Sequence, residues 1–459
     1  MRNIRYTLVA LLSIVFSSCE DKLDEVLPRD SLAPESVSSA SDIERLLVGA
    51  YDGIQNTGTN SVGASLYYLS ALTEDLSADN LKYRATFFQH GEVDANAILT
   101  GNVLVQRYYL GPWVPIYRAN EIVRLIEGID ASDFSTPQRK DEIVGEALYM
   151  RALAYFRLVS LFGGVPLVLE STAEELPRAT EDAIWNQIAT DLDESILKAP
   201  DFNGTNVYIT KQAAKALRAR VALYREDYAL AATLAEELIA NSSFALATNA
   251  TEWRSIFDSP GSSSEIIFQI ETTLTEGSSS HGFFLMDAEN PFGTGGRLEL
   301  PVDESLVNAF EAGDYRDENS FVPTTARPGF FQATKYPGGG NGDDNFFISR
   351  IAEMYLTSAE AAAKRDNNPA SGIARLNEVR TNRGLTAIST PANMQAFEDA
   401  VLQERRVELA FEGFRWADLR RTGRAIATLP NVTNANQLYY PIPQQAMDRN
   451  SKLVQNDGY

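Results

Sequence analysis

The sequence has 459 residues, of which 44% are hydrophobic, and its formal net charge is −22. A chain of this length buries most of the surface that its unfolded form exposes, and with Cys19 as the only cysteine its core cannot depend on an internal disulfide. So acidic a surface repels phosphate backbones, and nucleic acid is therefore not expected as a partner.

The N-terminus has the pattern of a secreted lipoprotein. A short basic stretch precedes an apolar run from Tyr6 to Phe16, which is too short to span a bilayer, and two serines lie directly before Cys19. This pattern predicts a lipoprotein signal peptide at 1–18, with Cys19 as the lipid anchor, carrying palmitate or a similar acyl chain. Residues 19–40 are predicted to be a flexible, acid-rich tether. The alternative is an ordinary signal peptide followed by an incidental thiol.

Most of the sequence from residue 41 onward has apolar residues at helical spacing, and Ser41 or Asp42 is expected to cap the first helix. From Ala147 onward the third predicted helix is apolar around most of its circumference, which predicts that it is buried. The predicted helices lie at 41–56, 112–128, 138–163, 180–199, 211–225, 227–241, 350–366, 369–382 and 393–422.

The adjacent segments 211–225 and 227–241 together resemble a tetratricopeptide helix-turn-helix unit. The stretch 350–384 repeats this pattern, with the small residues Ala359, Ala361 and Ala363 where two helices are expected to cross closely. We therefore predict a mostly α fold, a tetratricopeptide-like scaffold of about four helix pairs. The scaffold is expected at about 41–56, 112–241 and 350–459, and loop-rich variable parts at about 57–111 and 243–348.

The two loop-rich parts contain many Gly, Ser, Thr and Asn residues together with scattered aromatic residues. Loops this long in a compact domain are usually functional or disordered, and the aromatic content argues against simple disorder. A ligand site is therefore expected in these loops.

Several enzyme classes find little support in the sequence. His90 and His281 are the only histidines, no G-x-S-x-G motif occurs, and no thiol remains for a Cys/His pair or a zinc site, so no metal or cofactor is predicted. The glycine-rich stretches 292–297 and 336–344 lack the phosphate-loop motif and are interpreted as turns. Glycoside hydrolysis by two carboxylates stays open, because 62 Asp and Glu residues allow many pairs.

The densest charge cluster is "QERRVELAFEGFRWADLRRTG" at 403–423. On a helix, Glu404 shares a stripe with apolar residues and needs a cationic partner if it is buried. We interpret the cluster as a structural ion network, with a catalytic cluster as the alternative.

The same stretch resembles the C-terminal signature of the SusD/RagB family of surface nutrient-binding lipoproteins. Three further stretches fit that family in the right order, at 147–168, 350–364 and 439–459. The resemblance implies a helical scaffold with a variable, loop-rich part that holds the ligand. It also implies that the signature residues belong to the scaffold, namely Glu146, Arg151, Gly163, Pro166, Glu360, Glu404, Arg405, Arg406, Glu412, Gly413 and Arg415.

What the resemblance implies for function is nutrient capture without catalysis. Members of the family are anchored by lipid outside the outer membrane, facing the cell exterior, over a SusC-like TonB-dependent transporter. They bind an oligosaccharide or, in some branches, a peptide, and deliver it to that transporter.

The ligand site itself is predicted from physical chemistry. A sugar offers apolar faces and a rim of hydroxyls, so its binder needs aromatic rings beside polar side chains. The loop residues that fit this description are Asp79, Asn80, Tyr83, Phe87, Phe88, His90, His281, Phe283, Phe284, Phe292, Phe331 and Tyr336.

The leading hypothesis is thus a non-catalytic glycan-binding component of an importer. Its alternatives are a peptide or small-nutrient binder on the same scaffold, a lipoprotein glycosidase, and a structural tetratricopeptide adaptor, against which the long aromatic loops count.

Overall fold

The computed structural model describes residues 37–55, 68–259, 261, 263–275 and 281–459. The predicted signal peptide, Cys19 and most of the predicted tether lie outside the described residues, as does the stretch 56–67. The chain is 54% helical and has few strands, which confirms the predicted mostly α fold. In the part of the chain that is described, no helix combines the length and the apolar character needed to cross a bilayer.

The chain alternates between long helices and stretches of short helices and strands. The α-helices are α1 Ala40–Gln55, α2 Tyr68–Ser77, α3 Phe88–Asp94, α4 Val103–Leu110, α5 Trp113–Ile126, α6 Pro137–Phe162, α7 Glu181–Lys198, α8 Lys211–Tyr224, α9 Tyr228–Ile239, α10 Ala250–Asp258, α11 His281–Leu285, α12 Glu304–Val307, α13 Arg316–Ser320, α14 Ile351–Asp366, α15 Ile373–Thr381, α16 Met394–Glu408, α17 Arg415–Arg421, α18 Ala425–Thr428 and α19 Gln444–Arg449. The strands are β1 Ile266–Ile270, β2 Phe321–Pro323, β3 Phe331–Ala333 and β4 Phe346–Arg350.

The long helices pack in sequence order as a stack. Helix α1 packs against α5, α5 against α6, α6 against α7, and the series continues through α8 and α9 to α14, which also packs against α15 and α16. This arrangement gives the four helix pairs that the sequence predicts, with α2 to α4 inserted into the first pair and residues 240–350 inserted before the last.

Two sequence features explain the close packing of this stack. Every residue of α6 from Gly145 to Phe162 is buried, as the apolar circumference of the helix predicts. A Cβ atom on Gly145 would lie 2.4 Å from the backbone N of Ala199, so only glycine allows this approach of α6 to the end of α7. Ala359 and Ala363 are fully buried in the core around α14, which confirms the predicted close crossing.

Polar caps fix where the scaffold helices begin. The hydroxyls of Thr136, Thr180 and Thr210 accept hydrogen bonds from backbone N–H groups in the first turns of α6, α7 and α8. The first helix is capped differently from the prediction of Ser41 or Asp42. Ser39 Oγ accepts from Asp42 N, and the Asp42 carboxylate accepts from Ser39 N in return, which makes a reciprocal capping pair.

Two predictions about elements are wrong. The predicted helix 393–422 is divided, because α16 ends at Glu408 and α17 begins at Arg415. Phe411 and Gly413 have positive φ in the turn between them, and a Cβ atom on Gly413 would lie 2.7 Å from Ala71 Cα. The part predicted as loop-rich at 57–111 contains the three helices α2, α3 and α4 among its described residues.

The strands form two small antiparallel sheets within the second insertion. In the first sheet Ile266 lies opposite Arg350 and Ile270 opposite Phe346, and in the second Phe321 lies opposite Ala333. The segment before α12 approaches the first insertion through backbone hydrogen bonds, and the turn between β2 and β3 contacts residues 297 and 298 of the same segment.

The charge cluster at 403–423 is a buried structural network, as predicted. The Glu408 carboxylate accepts hydrogen bonds from Arg316, Arg350 and Arg383 at 2.9–3.0 Å. Burial alone would raise the pKa of Glu408, but the charges of Arg383 and Arg350 hold it well below its ordinary value. Glu404 is also buried and is paired with Arg316.

Candidate ligand-binding site

The segment 82–92 contributes side chains to two clefts. Its first residues run antiparallel to the segment before α12: Lys82 N donates to Pro301 O at 2.9 Å and Arg84 N donates to Glu299 O at 3.1 Å. Its last residues form most of α3. This one segment therefore joins the two insertions that the sequence analysis assigns to the ligand site.

The larger cleft, which we call the aromatic cleft, has a volume of about 890 Å³. Three of the large apolar side chains in its lining are exposed: Phe88 by 63%, Leu99 by 64% and Tyr459 by 36%. The lining comprises Phe88, Glu92, the stretch 96–102, Asn434, Asn436, Gln437, Gly458 and Tyr459.

Helix α3 presents Phe88 and Glu92 to this cleft because residues four apart lie on one face of a helix. The opposite face buries His90 and Val93. One face of this short helix is therefore buried, while the other exposes an aromatic ring to the cleft.

The stretch 96–102 is fixed as a wall of the cleft by Asn102. Asn102 Oδ1 accepts from Leu104 N at 3.0 Å and caps α4, while its Nδ2 donates to Glu92 Oε2 at 2.8 Å and to Gln89 O at 3.1 Å. The Glu92 carboxylate also accepts from Leu99 N at 3.2 Å. These hydrogen bonds hold Leu99 next to α3 in the wall of the cleft.

The C-terminal part of the chain adds neutral polar groups to the lining. Asn434 and Gln437 form a capping box at the 3₁₀ turn Ala435–Leu438, whereas the exposed Asn436 side chain makes no hydrogen bond with another described residue. The Tyr459 hydroxyl donates to Tyr439 O at 3.0 Å, and burial raises the pKa of Tyr459 to about 12, so the phenol stays neutral at pH 7. Exposed rings beside neutral amides suit a ligand with apolar faces and hydroxyl groups.

The second cleft, which we call the charged cleft, has a volume of about 630 Å³. Lys82 lies in it and is ion-paired, with its Nζ 3.4 Å from Asp303 Oδ2 and 3.8 Å from Asp94 Oδ1. The lining comprises Lys82, Arg84, the stretch 301–305, Asn308, Gly329, Phe330 and Phe331.

Five of the predicted ligand residues are instead buried or ion-paired within the protein. His90, His281, Asn80 and Tyr336 are at most 2% exposed. Their partners are protein groups: Asn80 donates to Asp75, His90 lies 3.3 Å from Glu299, and His281 Nε2 lies 2.8 Å from Phe411 O. Asp79 is paired with Arg415 and Arg406, whose charges overcome the effect of burial and hold its pKa below the ordinary value. We correct the candidate set by removing these five residues.

Four other predicted residues are half-buried and pack against the core, namely Tyr83, Phe87, Phe284 and Phe331. The His90 ring lies between Phe87 and Phe284, with ring centroids 5.1 and 5.3 Å away. Of this set only Phe331 also lines a cleft, the charged one.

Phe88, Phe283 and Phe292 remain the more accessible predicted rings. Phe88 lines the aromatic cleft, while Phe283 and Phe292 line neither cleft, and Phe292 lies under the Arg254 guanidinium at 5.5 Å. The structure therefore brings only Phe88 and Phe331 of the predicted set to cleft walls.

The part of the aromatic cleft that Asn436 and Tyr459 line was not predicted from the sequence. Asn436 and Tyr459 lie in stretches near or within the terminal signature, which was assigned to the scaffold. The asparagine-rich stretch "NVTNANQ" at 431–437 was the available signal, since clustered amides suit hydroxyl recognition. In the described parts of the chain, no three His, Cys, Asp or Glu side chains are grouped so that they could hold a metal ion.

Two family models match the chain, and together they cover more than half of it. A model described as "SusD family" matches residues 329–438. A second, described as "Starch-binding associating with outer membrane", matches residues 22–223. A similar protein in sequence is SusD-like protein P38 from Formosa agariphila, which is 26% identical over 100% of this chain and 99% of the relative.

Solved structures with the same fold come from Bacteroides thetaiotaomicron. A SusD superfamily protein superposes with a TM-score of 0.79 at 23% identity, covering 91% of this chain and 100% of that one. Surface glycan-binding protein A, solved in complex with laminarihexaose, superposes with a TM-score of 0.77 at 21% identity, covering 91% and 100%. These likenesses establish the fold of the chain described above.

Proposed function

The chain belongs to the SusD/RagB family, and from this premise we propose that it is a non-catalytic glycan-binding protein that captures oligosaccharides at the cell surface. The observation that carries the proposal is the aromatic cleft, whose lining combines the exposed ring of Phe88 with neutral polar groups. We further propose that the captured oligosaccharide passes to a partner SusC-like TonB-dependent transporter.

The chemistry of the aromatic cleft fits a sugar better than a charged nutrient. Phe88 and Tyr459 offer rings on which the C–H faces of a pyranose can lie, and Asn436 offers a donor and an acceptor for hydroxyls. Glu92 is the only carboxylate side chain in the lining, and its hydrogen bonds to Asn102 and Leu99 N occupy it. A volume of about 890 Å³ accommodates several sugar units.

The comparisons support the same ligand class. The model matching residues 22–223 is described as starch-binding, and one protein with this fold was solved with laminarihexaose bound. The description of that model also mentions association with the outer membrane, which agrees with an anchored protein. We propose that acylated Cys19 supplies the anchor and that the domain faces the cell exterior.

A glycan and peptide array probed with the purified protein tests this function. We expect binding to at least one oligosaccharide class without peptide binding. The same oligosaccharide, incubated with the protein and analysed for reducing ends, should stay intact.

Each alternative has its own outcome in this experiment. Cleavage of the bound glycan would identify a glycosidase, and binding to peptides alone would identify a peptide binder on the same scaffold. Binding to neither class would contradict the proposal that the aromatic cleft captures a ligand.

A further inference from the structure

Three exposed arginines belong to the three-residue stretch 297–299 or contact it, beside the charged cleft. The Arg327 guanidinium donates to Leu298 O at 2.9 Å and to Arg297 O at 3.2 Å. The backbone N of Arg84 donates to Glu299 O at 3.1 Å, and the side chain of Arg297 is 50% exposed. On a chain with a net charge of −22, such a gathering of cations is unusual.

Two of these arginines lack a close ion pair, although the charge of Arg84 also acts on the Asp94 carboxylate. Arg297 pairs with the buried Glu299, whereas neither Arg84 nor Arg327 forms an ion pair with another described residue. The Arg84 guanidinium donates only to the neighbouring Tyr83 O, at 3.0 Å. Both guanidinium groups therefore keep free donors for a ligand.

The charged cleft is polarised along its length. Because segment 82–84 runs antiparallel to 299–301, Arg84 lies at one end of the pairing, whereas Asp303 and Glu304 lie beyond its other end. Lys82, between the two ends, is neutralised by Asp303 and Asp94. The end of the cleft at Arg84, which we call the basic end, is where positive charge is in excess.

Aromatic rings lie next to the basic end. Arg327 and Phe330 belong to one turn, in which Phe330 N donates to Arg327 O at 3.2 Å, and both Phe330 and Phe331 line the cleft. A half-buried ring supplies a face for a sugar, and a guanidinium fork matches two oxygens of a carboxylate or a sulfate.

We propose that the charged cleft binds an anionic sugar unit of the same oligosaccharide, with Arg84 in its lining and Arg327 beside it holding the carboxylate or sulfate oxygens. This proposal rests on the proposed glycan-binding function and names the class of glycan, one that carries uronate or sulfate groups. The two clefts are then two subsites that one extended ligand can occupy together. Arg84 and Phe88 are four residues apart, so their Cα atoms are separated by at most about 14 Å.

Titration of the full protein with three hexasaccharides tests the proposal: neutral laminarihexaose, hexagalacturonate and a sulfated carrageenan hexasaccharide. At 50 mM NaCl one of the two anionic probes should bind about tenfold more tightly than the neutral probe, and 300 mM NaCl should reduce that preference. The two anionic arms distinguish a carboxylate from a sulfate as the recognised group.

Matched variants assign the effect to the basic end. Arg84→Gln should weaken binding of the preferred anionic probe about tenfold and leave laminarihexaose binding unchanged, and Glu304→Gln, at the opposite end, should strengthen anionic binding. Thermal unfolding of each variant checks that it folds. Anionic probes that bind no better than laminarihexaose, or an Arg84→Gln variant that keeps full anionic affinity, would overturn this proposal while leaving glycan binding intact. Absence of binding to any glycan would overturn both.

Discussion

At the residue scale, Phe88 is the side chain on which the proposed ligand contact depends most, because it is 63% exposed in a cleft whose other walls are fixed. Phe88→Ala should reduce affinity for the bound oligosaccharide about tenfold, the loss of a single ring contact. Its stability should change by less than about 0.5 kcal/mol, because the ring is largely outside the core. Isothermal titration and thermal unfolding measure the two effects.

The matched control is Tyr117→Ala, which removes a ring that is 52% exposed on α5 and lines neither cleft. It should leave affinity unchanged. Equal losses in both variants would mean that the Phe88 effect is not specific to the aromatic cleft.

Buried carboxylic acids should make stability depend on pH. Burial raises the pKa of Glu74 to about 7, against the opposing charge of Arg157, from an ordinary value of 4.5. Between these two values the folded state keeps a proton that the unfolded chain releases, so stability is greatest at the acidic end and falls as pH rises toward 7. The contribution is about 1.4 kcal/mol per pH unit for each such group.

Glu74→Gln imitates the protonated side chain and should flatten this dependence in denaturant unfolding at pH 5, 6 and 7. The slope should be reduced and not abolished, because Asp75 and Asp344 also have pKa values raised to about 7 by burial. An unchanged slope in the variant would show that Glu74 is ionised in the folded protein throughout this range.

At the scale of elements, the ion network around α16 joins parts of the chain that are distant in sequence. Glu408 brings together Arg316 of α13, Arg350 at the end of β4 and Arg383 after α15. Glu408→Ala should lower the free energy of unfolding by about 3–5 kcal/mol, because three buried cations lose a shared counterion.

Glu304→Ala serves as the control for that substitution, since it removes an exposed carboxylate that pairs with no described residue. Its effect on stability should stay within about 0.5 kcal/mol. A Glu408 variant as stable as this control would contradict a structural role for the network.

The scaffold helices could be predicted because their signals are local. Apolar spacing, the caps at Thr136, Thr180 and Thr210, and the small residues of α14 all lie within the elements that they define. The end of α16 at Glu408 could not be predicted in this way. Its last carbonyls accept from Lys335 Nζ, which is 73 residues away from Glu408 in sequence.

The ligand site was predicted only in part, because cleft walls are set by contacts between distant segments. Residue type selected Phe88, which lines the aromatic cleft, but it could not separate that exposed ring from Tyr336, which is 2% exposed in the core. His90 and His281 are polar loop residues in sequence that the fold buries against Glu299 and Phe411. No local sequence feature indicates that Tyr459 lines the cleft, because only the fold brings it there.

At the scale of the whole molecule, the chain is a helical stack that holds two adjacent clefts on its insertions. The proposed lipid anchor lies outside the described residues, at Cys19. Cys19→Ser should remove the protein from the membrane fraction of cells, while the affinity of the purified protein for its oligosaccharide stays the same. A variant that still sediments with the outer membrane would show that another part of the chain attaches it.

The most direct test of the proposed function is a crystal structure of the protein with the oligosaccharide that binds most tightly on the array. The ligand should lie in the aromatic cleft, with a sugar ring within about 4 Å of the Phe88 ring and hydroxyls hydrogen-bonded to Asn436. An oligosaccharide bound elsewhere, with Phe88 free of contact, would contradict the assignment of this cleft as the ligand site.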